Sequence, residues 1–248
     1  MLGAFFDDSG THAGSPVMTI GGVLGTEAQW DVFAAAWEAL LTEPLPGKRP
    51  LKQFHLSPCR AGRDEFENYG LAERDHLTYL FRQVILDTGL VTVAAAVDNA
   101  AWDELVTDDA AEQLGHPLEF LLYKCLNSVS DIIKWRKPGE QTWVFFDEGI
   151  RDRVEMFAYA YMQNNKDRPE IANVGFAPVS KVIALQAGDM IATETFQFGQ
   201  QWLLDRENPV TNPHFESFRW RDMSAGLIFD RDAIAEMVER VKAGPPPA

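Results

Sequence analysis

The sequence predicts an α/β fold with a mixed sheet and helices on both of its faces. Two patterns indicate this class. Two strand-like segments follow each other at the start of the chain, and amphipathic helices then alternate with short apolar strands. A chain of 248 residues with 46% hydrophobic residues is long enough for one large domain with a sizeable core.

The first half of the chain begins with a predicted hairpin. The apolar run "LGAFF" indicates a buried strand over 2–8, and "VMTIGGVL" indicates a second strand over 17–24, with a Gly-, Ser- and Pro-rich loop between them. Apolar residues at helical spacing predict helices over 27–42 and 73–88. The stretch 51–70 is mixed and polar, and "LVTVAAAVD" predicts a third strand over 90–98.

The second half predicts alternating helices and strands. The acidic stretch 101–113 is expected to be a short helix or a surface loop, and Pro117 is a favoured first residue for a long helix. Ser180 is the expected N-cap of the late helix. After about residue 200 the sequence becomes irregular. The predicted elements are helices over 117–135, 151–164, 181–198 and 231–242, and strands over 142–148 and 172–178.

Charge and cysteine content limit the class of protein. The net charge of −15 and the pI near 4.7 argue against a protein that coats nucleic-acid phosphates, but not against a site that meets phosphate through metal ions. Cys59 and Cys125 are far apart without metal-ligand spacing, which predicts free thiols in a reducing cytoplasm. We expect no membrane span and no secretory signal, and therefore a cytoplasmic protein.

Acidic residues stand against apolar sequence in three places. Asp7 and Asp8 end the first strand, Asp147 and Glu148 end the strand "TWVFF", and Asp189 lies inside the apolar helix "VIALQAGDMIA". Because neighbouring residues of a strand point to opposite faces, one acid of each pair is expected to face a common site. We favour Asp7 and Asp147 for that role, with Asp8 and Glu148 as further or alternative ligands.

Three carboxylates that meet at one point repel each other unless a cation enters. Oxygen ligands without a Cys/His cluster suit Mg²⁺ or Mn²⁺ and argue against zinc. Two such ions can activate a water and stabilise the leaving oxygen of a phosphodiester. On the late helix Gln186, Asp189 and Thr193 share one stripe, whereas Glu194 is rotated away from it.

These motifs resemble the domain-of-unknown-function family numbered 3800 (DUF3800). Members of that family open with a strand ending Asp-Glu-Ser-Gly, followed by a Gly-Gly-Val strand, an acid-terminated apolar strand and a late Ser-Lys…Leu-Gln-x-Ala-Asp helix. The corresponding stretches here are "FFDDSG", "IGGVL", "VFFDE" and "SKVIALQAGDMIA", and "KQFHLSP" corresponds to a Phe-His segment of some members. Asp8 replaces the usual Glu, and Gly188 replaces the usual Ala.

The resemblance implies an RNase H-like domain over residues 1–248, with an insertion at about 27–88 and a C-terminal extension at about 200–248. It implicates Asp7, Asp147 and Asp189 as the acidic set that binds Mg²⁺ or Mn²⁺. Gln186 and Lys181 would lie beside this set and position substrate. The implied activity is that of a metal-dependent hydrolase of the nuclease type.

Other residues carry two interpretations. His55 can serve as a general base or bind a phosphate, or it can be a half-buried loop histidine. Lys181 can pair with a substrate phosphate or with Asp147. The aromatic residues of 196–220 can stack on bases or pack in the core; they are Phe196, Phe198, Trp202, Phe215, Phe218 and Trp220.

Three functions are therefore open from the sequence. The first is a Mg²⁺- or Mn²⁺-dependent nuclease that meets RNA or DNA through its metal ions. The second is a non-catalytic binding or regulatory module of the same fold, which the net charge favours. The third is a metal-dependent phosphatase that acts on small phosphate esters.

Overall fold

The computed structural model describes residues 2–207 and 224–243, and a six-stranded mixed sheet forms its centre. The strands are β1 (Leu2–Ser9), β2 (Val17–Thr26), β3 (Val91–Asp98), β4 (Thr142–Asp147), β5 (Ile171–Ala177) and β6 (Ser224–Phe229). Their order in the sheet is β5-β4-β1-β2-β3-β6. Strands β1 to β3 form an antiparallel meander, β4 and β5 run parallel to β1, and β6 runs parallel to β3. Strands β1 to β5 thus have the order and directions of an RNase H-like fold, which confirms the predicted class.

Helices cover both faces of this sheet. They are α1 (Glu27–Thr42), α2 (Leu56–Ala61), α3 (Leu71–Asp87), α4 (Asn99–Leu105), α5 (Asp108–Leu114), α6 (Pro117–Arg136), α7 (Arg151–Asn164), α8 (Ile183–Leu204) and α9 (Arg231–Ala243). Short 3-10 helices span Asp64–Phe66 and Glu148–Ile150. One face packs against α6, α7 and α9, and the other packs against α8, which α1, α2 and α3 cover in turn.

The alternation of β1 sends its residues to the two faces. Ala4 and Phe6 are buried in the core on the α6 side. Phe5 and Asp7 project to the opposite side, where the Phe5 ring lies 4.8 Å from the ring of Trp30 on α1. Asp7 therefore faces α8.

Two glycines allow α8 to approach the sheet closely. A Cβ atom on Gly21 of β2 would lie 2.5 Å from the backbone nitrogen of Ala192 on α8. A Cβ atom on Gly188 of α8 would lie 3.1–3.2 Å from the backbone of Phe5, Phe6 and Asp7. The absence of side chains at these two positions brings the helix backbone against β1 and β2.

The structure corrects several predicted elements. Helix α8 begins at Ile183 after Val182, so Ser180 is not its N-cap, because residues 178–181 form a turn. The polar stretch 51–70 contains α2, and the acidic stretch after the third strand forms α4 and α5. Strand β6 was not predicted, because its residues follow an irregular sequence and Leu227 is 41% exposed.

The C-terminal extension contributes β6 and α9 to the described part of the chain, while the predicted insertion forms α1 to α3. Phe198 is buried and lies 6.2 Å from Trp202, which favours packing for these two aromatic residues. Phe215, Phe218 and Trp220 lie outside the described residues. No described helix has the length and apolar character that crossing a bilayer requires.

Candidate functional site

Two neighbouring strands end in the acids predicted to share a site. Phe6 of β1 pairs with Phe146 of β4 in parallel register, so the next residues, Asp7 and Asp147, occupy equivalent positions at the same edge of the sheet. Every second side chain of a strand points to the same face, so Asp7 and Asp147 point to the face of Phe5 and Phe145. The rings of these two phenylalanines stack 5.6 Å apart on the α8 side. The two carboxyl groups therefore project to the same face.

Helix α8 adds the third acid. Gly188 lies against the backbone of β1 from Phe5 to Asp7, and Asp189 follows it directly. The Asp189 side chain is 4% exposed, although an ionised carboxylate is costly to bury without partners. Asp189 therefore lies over the end of β1, next to Asp7.

The pKa of Asp7 reports this crowding. Burial raises it well above its usual range, and the charges of Asp189, Asp8 and Asp147 raise it further. Its Oδ1 atom accepts a hydrogen bond from the Asp8 backbone N–H at 2.8 Å, which acts in the opposite direction. The structure thus brings three other carboxyl groups of the predicted set within electrostatic reach of Asp7.

Asp8 lies at the rim of this group. Burial raises the pKa of its carboxyl, while a hydrogen bond from the Thr11 hydroxyl and the charge of Arg153 lower it. The Thr11 Oγ1 atom donates to Oδ2 of Asp8 at 2.6 Å. The Asp8 side chain is therefore directed by the loop that follows β1.

Asp147 joins β4 to the loop before α8. Its Oδ2 atom accepts a hydrogen bond from the Gly149 N–H at 2.8 Å, and its Oδ1 atom accepts one from the Val179 N–H at 2.9 Å. Lys181 lies two residues farther along this loop with an exposed side chain, and Glu148 is also exposed. Lys181 and Glu148 thus border the acidic group from the solvent side.

Asp189 is held by the segment that precedes α2. Its Oδ2 atom accepts a hydrogen bond from the Leu56 N–H at 3.0 Å, and its Oδ1 atom lies 3.0 Å from Nε2 of His55. The His55 side chain is 46% exposed. Its pKa is raised, first by the hydrogen bond to Asp189, although desolvation acts against this shift. His55 therefore belongs to the acidic site and also reaches solvent.

Gln186 lies one helical turn before Asp189, but it is only 2% exposed. Its Oε1 atom accepts hydrogen bonds from Nε1 of Trp37 and from the Phe54 N–H, both at 2.9 Å. Gln186 thus anchors the segment that carries His55. Its predicted contact with substrate stays a prediction, and the structure gives it this additional holding role.

A buried ion cluster lies farther along α8. Glu194 is 1% exposed, and its Oε1 atom lies 2.7 Å from Nη2 of Arg60 and 3.1 Å from Nη2 of the fully buried Arg82. Arg60 also donates to Gln197. These contacts tie the C-terminal end of α2 to α8, while the contacts of Asp189 tie its N-terminal end.

The oxygen-rich donor set fits a hard divalent cation in chemistry and charge. As the side chains stand, the oxygens of Asp147 and Asp189 accept hydrogen bonds from the protein. Within residues 2–207 and 224–243, no three His, Cys, Asp or Glu side chains are arranged to hold one ion. An entering cation must therefore compete with these hydrogen bonds for the carboxylate oxygens.

The N–H groups of Leu56 and Val179 were not predicted as parts of the site. Each bonds an acid that is 133 or 32 residues distant in sequence, so no local pattern marks it. Arg60 and Arg82 were also not predicted. The apolar context of Glu194 in α8 is the one signal in the sequence that it needs buried partners.

No family model matches the sequence, and no curated protein matches it. The fold is similar to a Bst RNase HIII in complex with Mn²⁺, with 14% identity and a TM-score of 0.46 over 96% of this chain and 65% of that chain. It is also similar to an RNase HII from Archaeoglobus fulgidus in complex with PCNA, with 14% identity and a TM-score of 0.40 over 100% of this chain and 92% of that chain. This chain thus spans about 65% of the length of the RNase HIII. The strand order itself, rather than these similarities, defines the fold.

Proposed function

We propose that the protein is a divalent-metal-dependent nuclease that hydrolyses a phosphodiester bond in RNA or DNA. The observation that carries this proposal is the meeting of Asp7, Asp147 and Asp189 at one edge of the sheet, where their charges and burial raise the pKa of Asp7. A fold that buried these acids for stability alone would gain nothing from such repulsion. The cost becomes useful when a cation binds there.

Asp7, Asp147 and Asp189 would hold Mg²⁺ or Mn²⁺, with Asp8 and Glu148 as further ligands. Bound in this way, such ions supply an activated water and stabilise the leaving oxygen of the phosphodiester. The resemblance to the DUF3800 family, which we retain as a proposal, implicates the same three acids.

The other residues of the site have supporting roles in this proposal. The Leu56 N–H and the His55 ring orient the carboxylate of Asp189. The exposed part of the His55 ring can donate a hydrogen bond to a substrate phosphate through its second nitrogen. Lys181 offers a positive charge to the substrate from the solvent side of Asp147, and Gln186 holds the His55 segment in place.

Replacement of Asp7 by Asn tests this function, because the amide keeps the shape of the side chain and removes its charge. We expect wild-type protein with Mn²⁺ to cleave at least one of four labelled substrates: single-stranded DNA, single-stranded RNA, duplex DNA or an RNA/DNA hybrid. Asp7→Asn should lower the cleavage rate at least 100-fold, while the matched variant Asp87→Asn, at an exposed acid on α3, should keep it.

Two further substrates separate the nuclease from the other candidate functions. Bis(p-nitrophenyl) phosphate is a diester, and p-nitrophenyl phosphate is a monoester. Hydrolysis of the monoester alone would indicate that the protein is a phosphatase and not a nuclease. Full cleavage activity in Asp7→Asn, or no hydrolysis of any substrate with either metal, would contradict the proposed function.

A further inference from the structure

One segment of this acidic chain is basic. Residues 44–63 contain five Lys or Arg residues and no Asp or Glu, whereas the whole chain has a net charge of −15. The segment comprises the connection between α1 and α2, α2 itself and the residue that precedes the first 3-10 helix. Five of the 22 Lys and Arg residues of the chain therefore lie in this segment around His55, with no acid among them.

This segment forms one wall of a cleft of about 620 Å³. Residues 47–52 line it together with Asp64, Glu65, Asn68 and Tyr69, and the Lys52 N–H donates a hydrogen bond to Oε2 of Glu65 at 2.7 Å. A cleft of this volume falls in the range that holds a small molecule or a few groups of a polymer. It is therefore large enough to admit part of a single nucleic-acid strand.

The cations of the cleft differ in their availability. Lys48 is already engaged, because its Nζ atom lies 2.7 Å from Oε2 of Glu73 and 4.6 Å from the centre of the Tyr69 ring. Arg49 and Lys52 are exposed, and their side chains make no hydrogen bond or ion pair with another described residue. These two side chains can meet the phosphates of a ligand without breaking an internal contact.

A short segment of chain links the cleft to the acidic site. Lys52 precedes the His55 segment, whose Phe54 N–H bonds Gln186 and whose Leu56 N–H bonds Asp189. Asp64, which also lines the cleft, is near enough to raise the pKa of His55 by its charge. A strand that leaves the cleft along this segment therefore arrives at the carboxyl group of Asp189.

We propose that this cleft binds a single strand of nucleic acid, with phosphates against Arg49 and Lys52, and leads the strand to Asp7, Asp147 and Asp189. The inference rests on the proposed function and names its substrate class. Phosphates are expected at Arg49 and Lys52 because Asp64 and Glu65, which also line the cleft, repel them. The Asp64 carboxylate and the second oxygen of Glu65 can instead accept hydrogen bonds from the amino groups of bases, since Oε2 of Glu65 already bonds the Lys52 N–H.

A binding experiment without metal tests the cleft separately from catalysis. The probe is a fluorescein-labelled single-stranded 12-mer, as DNA and as RNA, and its anisotropy is measured with the full chain in EDTA at several salt concentrations. Reversal of both charges in R49E/K52E should weaken binding at least tenfold. It should also lower the slope of log K against log salt by about 1.4, which is ~0.7 for each lost phosphate contact on a single strand.

The control makes the same change in net charge elsewhere. Lys137 and Lys166 are exposed and lie before β4 and β5, at the edge of the sheet opposite the acids. K137E/K166E should keep the affinity within about twofold of wild type. Circular dichroism and thermal melting check that both double variants fold, and R49Q/K52Q, which adds no negative charge, should show a smaller loss in the same direction.

The outcomes separate the two proposals. Three results would overturn the proposal that the cleft binds a single strand. They are an equal loss of affinity in both double variants, an unchanged affinity in R49E/K52E, and no binding by the wild-type chain. Cleavage that depends on Asp7 and is unaffected by R49E/K52E would contradict the proposed role of the cleft and support the proposed nuclease activity. Binding that depends on Arg49 and Lys52 without any Mn²⁺-dependent cleavage would support the proposed role of the cleft and contradict the proposed nuclease activity.

Discussion

The position of Asp7 lowers the stability of the metal-free fold. Burial and three neighbouring carboxyl groups raise its pKa in the folded chain, whereas the unfolded chain exposes it to water. The folded state therefore binds a proton to Asp7 at a pH where the unfolded state does not. Its contribution to the free energy of unfolding falls as the pH rises from the usual aspartate pKa through the raised folded value.

Replacement of Asp7 by Asn should therefore stabilise the metal-free protein at neutral pH. We expect a higher Tm in EDTA, by ~2–4 °C for each kcal/mol of repulsion removed in a chain of this size. The gain should shrink as the pH falls, because protonation relieves the same repulsion in wild type. Thermal melts of both proteins from pH 4.5 to 8 measure this, and a lower Tm for Asp7→Asn at every pH would contradict the assigned charge crowding.

Glu194 is the opposite case, because its buried charge has partners. It lies between Arg60 and the fully buried Arg82, so Glu194→Ala leaves a guanidinium group without its counter-charge in the interior. We expect a loss of about 3–5 kcal/mol in the free energy of unfolding, measured by urea denaturation. Glu239→Ala removes an exposed acid 3.1 Å from Lys242 and should cost less than about 1 kcal/mol. Equal losses of unfolding free energy in the two variants would show that the buried cluster contributes no more to stability than the surface pair.

Among the helices and strands, the contact of α8 with the sheet decides whether the site forms. Gly21→Ala places a methyl group 2.5 Å from the backbone of Ala192, where neither element can yield without a shift of the other. We expect a loss of about 1–3 kcal/mol or more, and weaker Mn²⁺ binding because Asp189 moves with α8. Gly226→Ala on β6 meets no atom within 4 Å and should change stability by less than about 0.5 kcal/mol. Urea denaturation and Mn²⁺ titration of both variants test this.

The elements that were predictable carry their signal locally. Strand β1 ends its apolar run at Asp7, and α8 shows an acid among apolar residues at Asp189, so both positions stood out in the sequence. The meeting of Asp7 with Asp147 also follows from a simple rule, because the parallel strands β1 and β4 end at the same edge of the sheet.

The elements that were missed depend on distant contacts. Helix α2 has six residues with Pro58 near its start, and its position is fixed by bonds to Asp189 and Glu194 on α8, more than 130 residues away. Strand β6 is fixed by its pairing with β3, across about 130 residues of chain. Neither contact leaves a periodic pattern in the sequence, so local reasoning could not find them.

For the whole molecule, the distribution of charge makes the proposed nucleic-acid substrate compatible with an acidic chain. The net charge of −15 is spread over a surface that repels phosphate, and the basic segment 44–63 lies beside the acidic site. Because α2 is tied to α8 at both ends, the basic wall and Asp189 hold a fixed relation to each other. In the proposed function, this basic segment would favour binding of phosphate beside the acids.

The four carboxyl groups predict a stabilisation by metal that a scattered set of surface acids would not give. An ion that binds the folded state at a concentration 100 times its Kd adds about 2.7 kcal/mol, which corresponds to a rise in Tm of ~5–10 °C for a chain of this length. We therefore expect millimolar Mn²⁺ or Mg²⁺ to raise the Tm of wild type and of Asp87→Asn. Asp7→Asn and Asp147→Asn should lose most of this rise, although the Tm of Asp7→Asn without metal is expected to exceed that of wild type. Equal metal-induced shifts in the Tm of all four proteins would indicate that the cations bind elsewhere on the acidic surface. Such a result would contradict a metal site at the end of β1.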